Sequence, residues 1–207
     1  MMGTVTTWND PAIAADNAGV NLPTTAITVV VRSDGSGTTS NFSKYLAAAS
    51  PSIFTVTAGD TVQWPRATAA KGNTGVAQAV KDTTGAIGYV DFADAKATGL
   101  ATAAIRNKDG KFVAPSLDGA TAALASATFK DDLTYSALNT GGADAYPITA
   151  GTYVIVPTNA GTNAATLKAW LEYLLSDAQT MAKDVGFAPL PLALRDRAIA
   201  QLAQIQG

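Results

Sequence analysis

The segment that decides the fold is ITVVVRSDGSGTT, residues 27–39. Its first five residues are all β-branched, which predicts a buried strand over Ile27–Val31. Phe42, Tyr45 and Leu46 follow at helical spacing, so a helix is expected to begin where the glycine-containing loop ends. A buried strand joined by a short loop to a helix is the basic unit of an α/β fold.

The loop also has the chemistry of an anion site. The first amides of a helix have no intrahelical partner, and the helix dipole favours negative charge beside them. Gly35 and Gly37 allow the backbone to approach a ligand closely. Ser36 and Thr38 add hydroxyl groups, and Arg32 offers a fork of donors that matches an oxyanion.

A simpler interpretation of the same loop is purely structural. Ser36, Thr38 or Thr39 could serve only as the N-cap of the helix. Asp34 could cap the turn or pair with Arg32. From the residues alone, both interpretations stay open.

Strand-like and helix-like patterns alternate along the rest of the chain, which predicts an α/β sheet with helices on both faces. The pattern predicts a helix opening at 71–75, a strand at 85–90, a hairpin at 105–113 and a strand at 152–156.

An apolar stripe runs from Leu167 to Val185 at a spacing of 3.6 residues and predicts one core-facing helix. Gly186 is placed to end that helix, and Pro189 and Pro191 would prevent its continuation. A closing helix is expected between Arg195 and Gln206.

The composition excludes several classes of function. The 207 residues include 14 Lys+Arg against 16 Asp+Glu, a net charge of −2, which argues against nucleic-acid binding. There is no histidine and no cysteine, which excludes Ser-His and Cys-His nucleophile pairs, thiol redox chemistry and the common zinc sites. Ser36 would lack a histidine base, so we expect no enzyme activity and no cofactor.

The apolar runs are too short to span a bilayer, and the segment from Met1 to Thr4 does not look like a signal peptide.

The loop from Val31 to Thr39, with Phe42 and Tyr45-Leu46 after it, resembles the signature loop of phosphate-binding proteins of bacterial ABC phosphate importers, the PstS family. The other segments similar to that family are Trp8–Ile13, Leu22–Pro23, Gln63–Pro65, Lys71–Val76, Gly85–Val90, Tyr146–Ile148 and Gly186–Pro191. Agreement of several separate motifs in the same order is improbable by chance.

The resemblance implies a type II periplasmic-binding-protein fold with two lobes that close on dehydrated phosphate. It implies that Arg32 binds a phosphate oxygen while paired with Asp34, and that Ser36, Gly37 and Thr38 donate through backbone and hydroxyl groups. A dehydrated anion needs many fixed donors, which agrees with these roles. The implied partners are inorganic phosphate and the membrane subunits of an ABC permease, in a periplasmic or cell-surface location.

The chain departs from the family because the family's N-terminal portion has no counterpart here. That portion carries a glycine-rich loop and a carboxylate that accepts the proton of phosphate. Residues 1–148 are therefore expected to form a nearly complete second lobe, and 149–207 the returning C-terminal segment of the first. The stripe over 167–185 would then expose apolar surface, and a chain supplying the missing segment is an expected partner.

Two other functions are compatible with the sequence. One is an interaction or structural protein that reuses the lobe, with an incomplete or partner-completed anion site. The other is a phosphatase-like relative of the same fold, which the lack of a recognisable metal cluster disfavours. A measurement of phosphate affinity distinguishes the interaction protein from a phosphate-binding protein. A turnover assay tests whether the protein is a phosphatase.

Overall fold

A three-stranded parallel sheet organises the first part of the computed structural model, which describes all 207 residues. The strands are β1 (Thr28–Arg32), β2 (Thr68–Ala70) and β3 (Ala86–Gly88), and β1 lies between the other two. Val30 of β1 is opposite Thr68 on one side and Gly88 on the other. The central position of β1 explains why its three consecutive valines are buried, as the sequence predicted.

Residues 1–102 form one compact unit with helices on both faces of this sheet. The helices are α1 (Pro11–Ala14), α2 (Gly37–Ala49), α3 (Gly72–Asp82) and α4 (Phe92–Thr98). Phe42 of α2 packs on the side of β1 that carries Val29 and Val31. Side chains alternate along a strand, so Val30 points to the opposite face, where α3 lies with Val76 fully buried.

Residues 103–207 form the second compact unit. Its elements are the antiparallel strands β4 (Ile105–Arg106) and β5 (Phe112–Val113), and the helices α5 (Leu117–Ala125), α6 (Ala164–Leu175), α7 (Ala178–Ala182) and α8 (Leu192–Gln201), with 3-10 turns at Gly161–Asn163 and Leu202–Gln204. The predicted hairpin and closing helix are confirmed. The expected lobe boundary at residue 148 stays a prediction.

Asn107 connects the hairpin of this second unit to a distant loop. Its side-chain amide donates to the carbonyl oxygens of Gly142, Ala143 and Ala145. Its side-chain oxygen accepts from the N–H groups of Asp109 and Lys111. A buried amide with all of these groups paired stabilises both segments.

The predicted strand at 152–156 is wrong. This segment pairs with no strand, and Ile155 is 94% exposed. The β-branched residues favour an extended backbone, but a strand also needs a neighbour that accepts and donates its hydrogen bonds.

The prediction of one continuous helix over the apolar stripe is wrong, because the structure has two shorter helices there. The chain leaves helical geometry at Ser176 (φ −118°, ψ −96°), where its hydroxyl donates to the carbonyl of Glu172, and this separates α6 from α7. Leu171 is buried, but Trp170 and Met181 are exposed, so the stripe faces a core only in part.

The predicted end of that helical region is confirmed. Gly186 has φ +84°, and the N–H of Phe187 after it donates to the carbonyl of Ala182 at 2.8 Å. None of the helices combines the length and apolar character needed to cross a lipid bilayer.

We predict that Gly85→Ala destabilises the protein by about 2–4 kcal/mol. Gly85 has φ +79°, and an added Cβ would overlap the carbonyl oxygen of Ala26 just before β1. Gly19 has the same φ of +79° with open space around it. Gly19→Ala is therefore the matched control, with an expected cost of about 1–2 kcal/mol from the left-handed backbone alone. Urea unfolding of both variants measures the difference, and equal losses would contradict the packing argument.

Candidate functional site: an arginine and the first turn of a helix

Helix α2 begins directly after the loop, with Ser36 as its N-cap. The Ser36 Oγ accepts the N–H of Thr39 at 3.2 Å, so the capping role considered from the sequence is confirmed. The hydroxyl hydrogen of Ser36 is not used in this bond and can still be donated. The N–H groups of Gly37 and Thr38 belong to the first turn, where a helix provides no acceptor for them.

Arg32 lies at the carboxyl end of β1 and pairs with Asp34 in two parallel hydrogen bonds. Its Nε donates to Asp34 Oδ1 at 2.9 Å and its Nη2 donates to Asp34 Oδ2 at 2.6 Å. The same carboxylate accepts the N–H of Gly72, the first residue of α3, at 3.1 Å. The Arg32 hydrogen bonds, followed by that of Gly72, hold the pKa of Asp34 well below its usual range. Asp34 thus pairs with Arg32 and also fixes the start of α3.

Two residues that were not predicted as part of the site, Asn73 and Asp91, connect Arg32 to the helix start. Arg32 Nη1 donates to Asn73 Oδ1 at 2.8 Å, and Asn73 Nδ2 donates to Asp91 Oδ2 at 2.7 Å. The Thr38 hydroxyl donates to Asp91 Oδ1 at 3.0 Å. We call Arg32, Asn73, Asp91 and Thr38 the hydrogen-bonded chain.

The places of Asn73 and Asp91 in the sequence could have indicated that both residues belong to this site. They follow β2 and β3 respectively, and the carboxyl ends of parallel strands lie at the same edge of a sheet. Polar residues just after parallel strands are therefore expected near one another. Asn73 lies in α3, and Asp91 is the residue before α4.

Tyr89 fixes the packing of α2 against the sheet below the loop. Its hydroxyl lies 2.8 Å from Thr39 Oγ1 and accepts the Arg32 N–H at 3.3 Å. Its ring stacks on Phe42 with 4.6 Å between ring centroids. Thr39 is only 2% exposed, so its hydroxyl is directed into the protein.

The structure therefore brings together the predicted residues in one polar site. Arg32 and Asp34 are in direct contact, and the hydrogen-bonded chain connects Arg32 to Thr38. Ser36 and Gly37 precede Thr38 at the start of the same helix. A guanidinium, a buried hydroxyl and unpaired amides can stabilise an oxyanion, although the assignment of these residues to phosphate stays a prediction.

Comparison with known proteins agrees with this architecture. Residues 1–178 match the PBP superfamily domain. The chain belongs to the PBP superfamily. The predicted α/β binding-protein fold class is thus confirmed.

Curated relatives of this PBP domain carry the name that the sequence resemblance suggested. The chain is 38% identical to phosphate-binding protein PstS of Xylella fastidiosa, over 92% of this chain and 54% of the relative. It is 37% identical to PstS of Pasteurella multocida, over 92% of this chain and 57% of the relative. It is also 37% identical to PstS 3 of Mycobacterium leprae, over 94% of this chain and 55% of the relative. The resemblance is confirmed, and the chain spans about half the length of these relatives.

Solved structures share the fold at low sequence identity. A high-affinity periplasmic phosphate-binding protein, PfluDING, bound with phosphate at pH 8.5, matches with a TM-score of 0.66 at 20% identity, over 96% of this chain and 62% of that one. A human phosphate-binding apolipoprotein matches with a TM-score of 0.56 at 19% identity, over 86% of this chain and 59% of that one.

We predict that Asp34 stabilises the fold in a pH-dependent way. Its pKa is lowered on folding from an ordinary value of 3.8, so its contribution is complete above that value and is lost as the pH falls further. The free energy of unfolding of Asp34→Asn should lie below that of the parent by a constant amount from about pH 7 to about pH 4. The difference should narrow toward about pH 2.

Urea unfolding across this pH range measures the effect. Asp94→Asn removes a carboxylate outside the hydrogen-bonded chain and controls for the change in net charge. A difference that stayed constant down to about pH 2 would contradict the assigned ion pair.

Proposed function

We propose that this PBP domain captures inorganic phosphate as the solute-binding component of an ABC importer. The observation that carries the proposal is Arg32, held by Asp34 beside the first turn of α2. The curated relatives named phosphate-binding protein PstS support it. In this proposal Arg32, Ser36, Gly37 and Thr38 contact the anion, and Asp34 keeps the guanidinium in place.

The site residues suit binding rather than catalysis. Arg32 keeps its proton at all physiological pH values, and hydrogen bonding to Asp34 raises its pKa further. Ser36 Oγ bonds to a backbone amide and has no general base as a hydrogen-bond partner. In the proposed function, the protein binds phosphate outside the cytoplasm and delivers it to permease subunits in the membrane.

The second unit supports a further part of the proposal, that another protein segment packs against this chain. Its helices and the segment that precedes them expose large apolar side chains: Tyr153, Val154, Ile155, Trp170, Tyr173, Met181, Val185, Phe187 and Leu192. Exposed apolar groups of this number are typical of a surface that another segment covers. The proposed partner is a protein segment that corresponds to the part of the relatives' length not spanned here.

The same exposed side chains favour one alternative, an interaction or structural protein that reuses the fold without capturing phosphate. Phosphate capture and this alternative differ in whether the purified chain binds phosphate, because an interaction protein does not require a functional anion site.

We predict that the purified chain binds phosphate in a calorimetric titration and that Arg32→Ala lowers the affinity at least about a hundredfold. The substitution removes the proposed cationic donor and leaves Asp34 as an unpaired negative charge beside the anion. Arg66→Ala, which removes an exposed guanidinium of the same unit, should leave the affinity nearly unchanged. Absence of phosphate binding by the parent chain would overturn the proposed function. Unchanged affinity in Arg32→Ala would show that the site is elsewhere.

We predict that Thr39→Ala affects phosphate affinity much less than Arg32→Ala does. The Thr39 hydroxyl bonds to Tyr89 inside the protein, so its loss leaves the first-turn amides of α2 in place. The expected cost is in stability, about 1–2 kcal/mol, because the Tyr89 hydroxyl loses a buried partner. Calorimetry and urea unfolding of the two variants separate the effects, and equal losses of affinity would reverse this ranking.

A further inference from the structure

Asn73 lies between a cation and a second carboxylate in the polar site. Its Oδ1 accepts from Arg32 Nη1 at 2.8 Å, and its Nδ2 donates to Asp91 Oδ2 at 2.7 Å. A side-chain amide accepts at one end and donates at the other without carrying a charge, so it satisfies both neighbours at once. A carboxylate at this position could satisfy only Arg32, and a cation could satisfy only Asp91.

The backbone next to Asn73 is held by the same carboxylate that pairs with Arg32. Asp34 Oδ1 accepts from Arg32 Nε at 2.9 Å and from the N–H of Gly72 at 3.1 Å. Gly72 is the first residue of α3, and Asn73 is the next. The place of the Asn73 amide beside the guanidinium is therefore set through Asp34, independently of Asp91.

The Arg32 guanidinium keeps two N–H groups for a ligand. A guanidinium has five N–H groups in a planar fork. Asp34 accepts two of them and Asn73 accepts a third, which leaves one on each of the terminal nitrogens Nη1 and Nη2. Both terminal nitrogens thus retain a donor, as two-point binding of an oxyanion requires.

Asp91 is close enough to affect the charge of Arg32. Hydrogen bonding to Asp34 raises the pKa of Arg32 most, and the negative charge of Asp91 raises it further. The attraction between opposite charges increases as the distance between them falls. Direct contact with Asp91 would therefore occupy a donor of Arg32 and add a second negative charge to that of Asp34.

We infer that Asn73 is a positioning residue of the anion site, which orients the Arg32 guanidinium and separates it from the Asp91 carboxylate. The inference rests on the proposed phosphate site. Without the Asn73 amide, Arg32 Nη1 loses an acceptor and Asp91 Oδ2 loses a donor. These two groups carry opposite charges and would pair with each other. Arg32 would then lie between two carboxylates, which weakens its attraction for an anion.

The test is the phosphate affinity, measured by calorimetry, of Asn73→Ala and of the double variant Asn73→Ala/Asp91→Asn. We expect Asn73→Ala to lower the affinity about tenfold or more. The added Asp91→Asn should restore most of this loss, because a neutral amide does not neutralise Arg32. Asp91→Asn in the parent should give a smaller gain, since Asn73 still separates the two side chains there.

Two control variants exclude a general effect of α3 or of net charge. Gln78→Ala removes another amide of α3, one that is exposed and bonds to Asp82, and should keep the parent's affinity. Asp94→Asn, added to Asn73→Ala, removes a negative charge from the first turn of α4 and should not restore the affinity.

Asn73→Asp tests the need for a neutral group at this position. This substitution is close to isosteric and keeps an acceptor for Arg32, but it places a second carboxylate against the guanidinium. We expect it to lower the phosphate affinity more than Asn73→Ala does.

The outcomes distinguish this inference from the proposed function. A parent chain that does not bind phosphate overturns both. If the parent binds phosphate, a parent-like affinity in Asn73→Ala, or a loss that Asp91→Asn does not restore, overturns the role of Asn73 and leaves anion binding in place. If circular dichroism shows that Asn73→Ala does not fold, a parent-like affinity in Asn73→Asp overturns the inference instead.

Discussion

The pairing of Arg32 with Asp34 at the end of the central strand is the interaction on which the rest of the site depends. The Arg32 side chain is only 12% exposed, and a cation removed from water to this extent is costly unless its donors are satisfied. Asp34 satisfies two donors and Asn73 a third. The loop after β1 therefore has to bring Asp34 back toward Arg32, and α3 has to begin where Asn73 can reach it.

These requirements connect elements that are far apart in the sequence. Because β1 lies between β2 and β3, the segments that follow all three strands meet at one edge of the sheet. Gly72 and Asn73 arrive after β2, and Asp91 arrives after β3. Below the loop, Tyr89 and Phe42 stack and fix α2 in the position that places its first turn beside Arg32. The strand order of the sheet is thus a condition for the site as much as the loop is.

Local signals predicted the parts of this arrangement that depend on neighbouring residues. The β-branched run of β1 and the helix after it each follow from a few adjacent side chains, and Ser36 is one of three N-cap candidates that the sequence offers. Asn73 and Asp91 escaped prediction as site residues because their roles arise from hydrogen bonds across 41 and 53 residues. The strand expected at 152–156 failed for a related reason, since propensity alone provides no partner for an extended segment.

The direction of the hydrogen-bonded chain is fixed by the chemistry of its members. Arg32 has donors and no acceptor, so the Asn73 side chain must present its oxygen to Arg32 and its nitrogen to Asp91. An ionised carboxylate only accepts, so the Thr38 hydroxyl must donate to Asp91. Arg32 therefore sets, through three hydrogen bonds, the direction in which a side chain in the first turn of α2 donates.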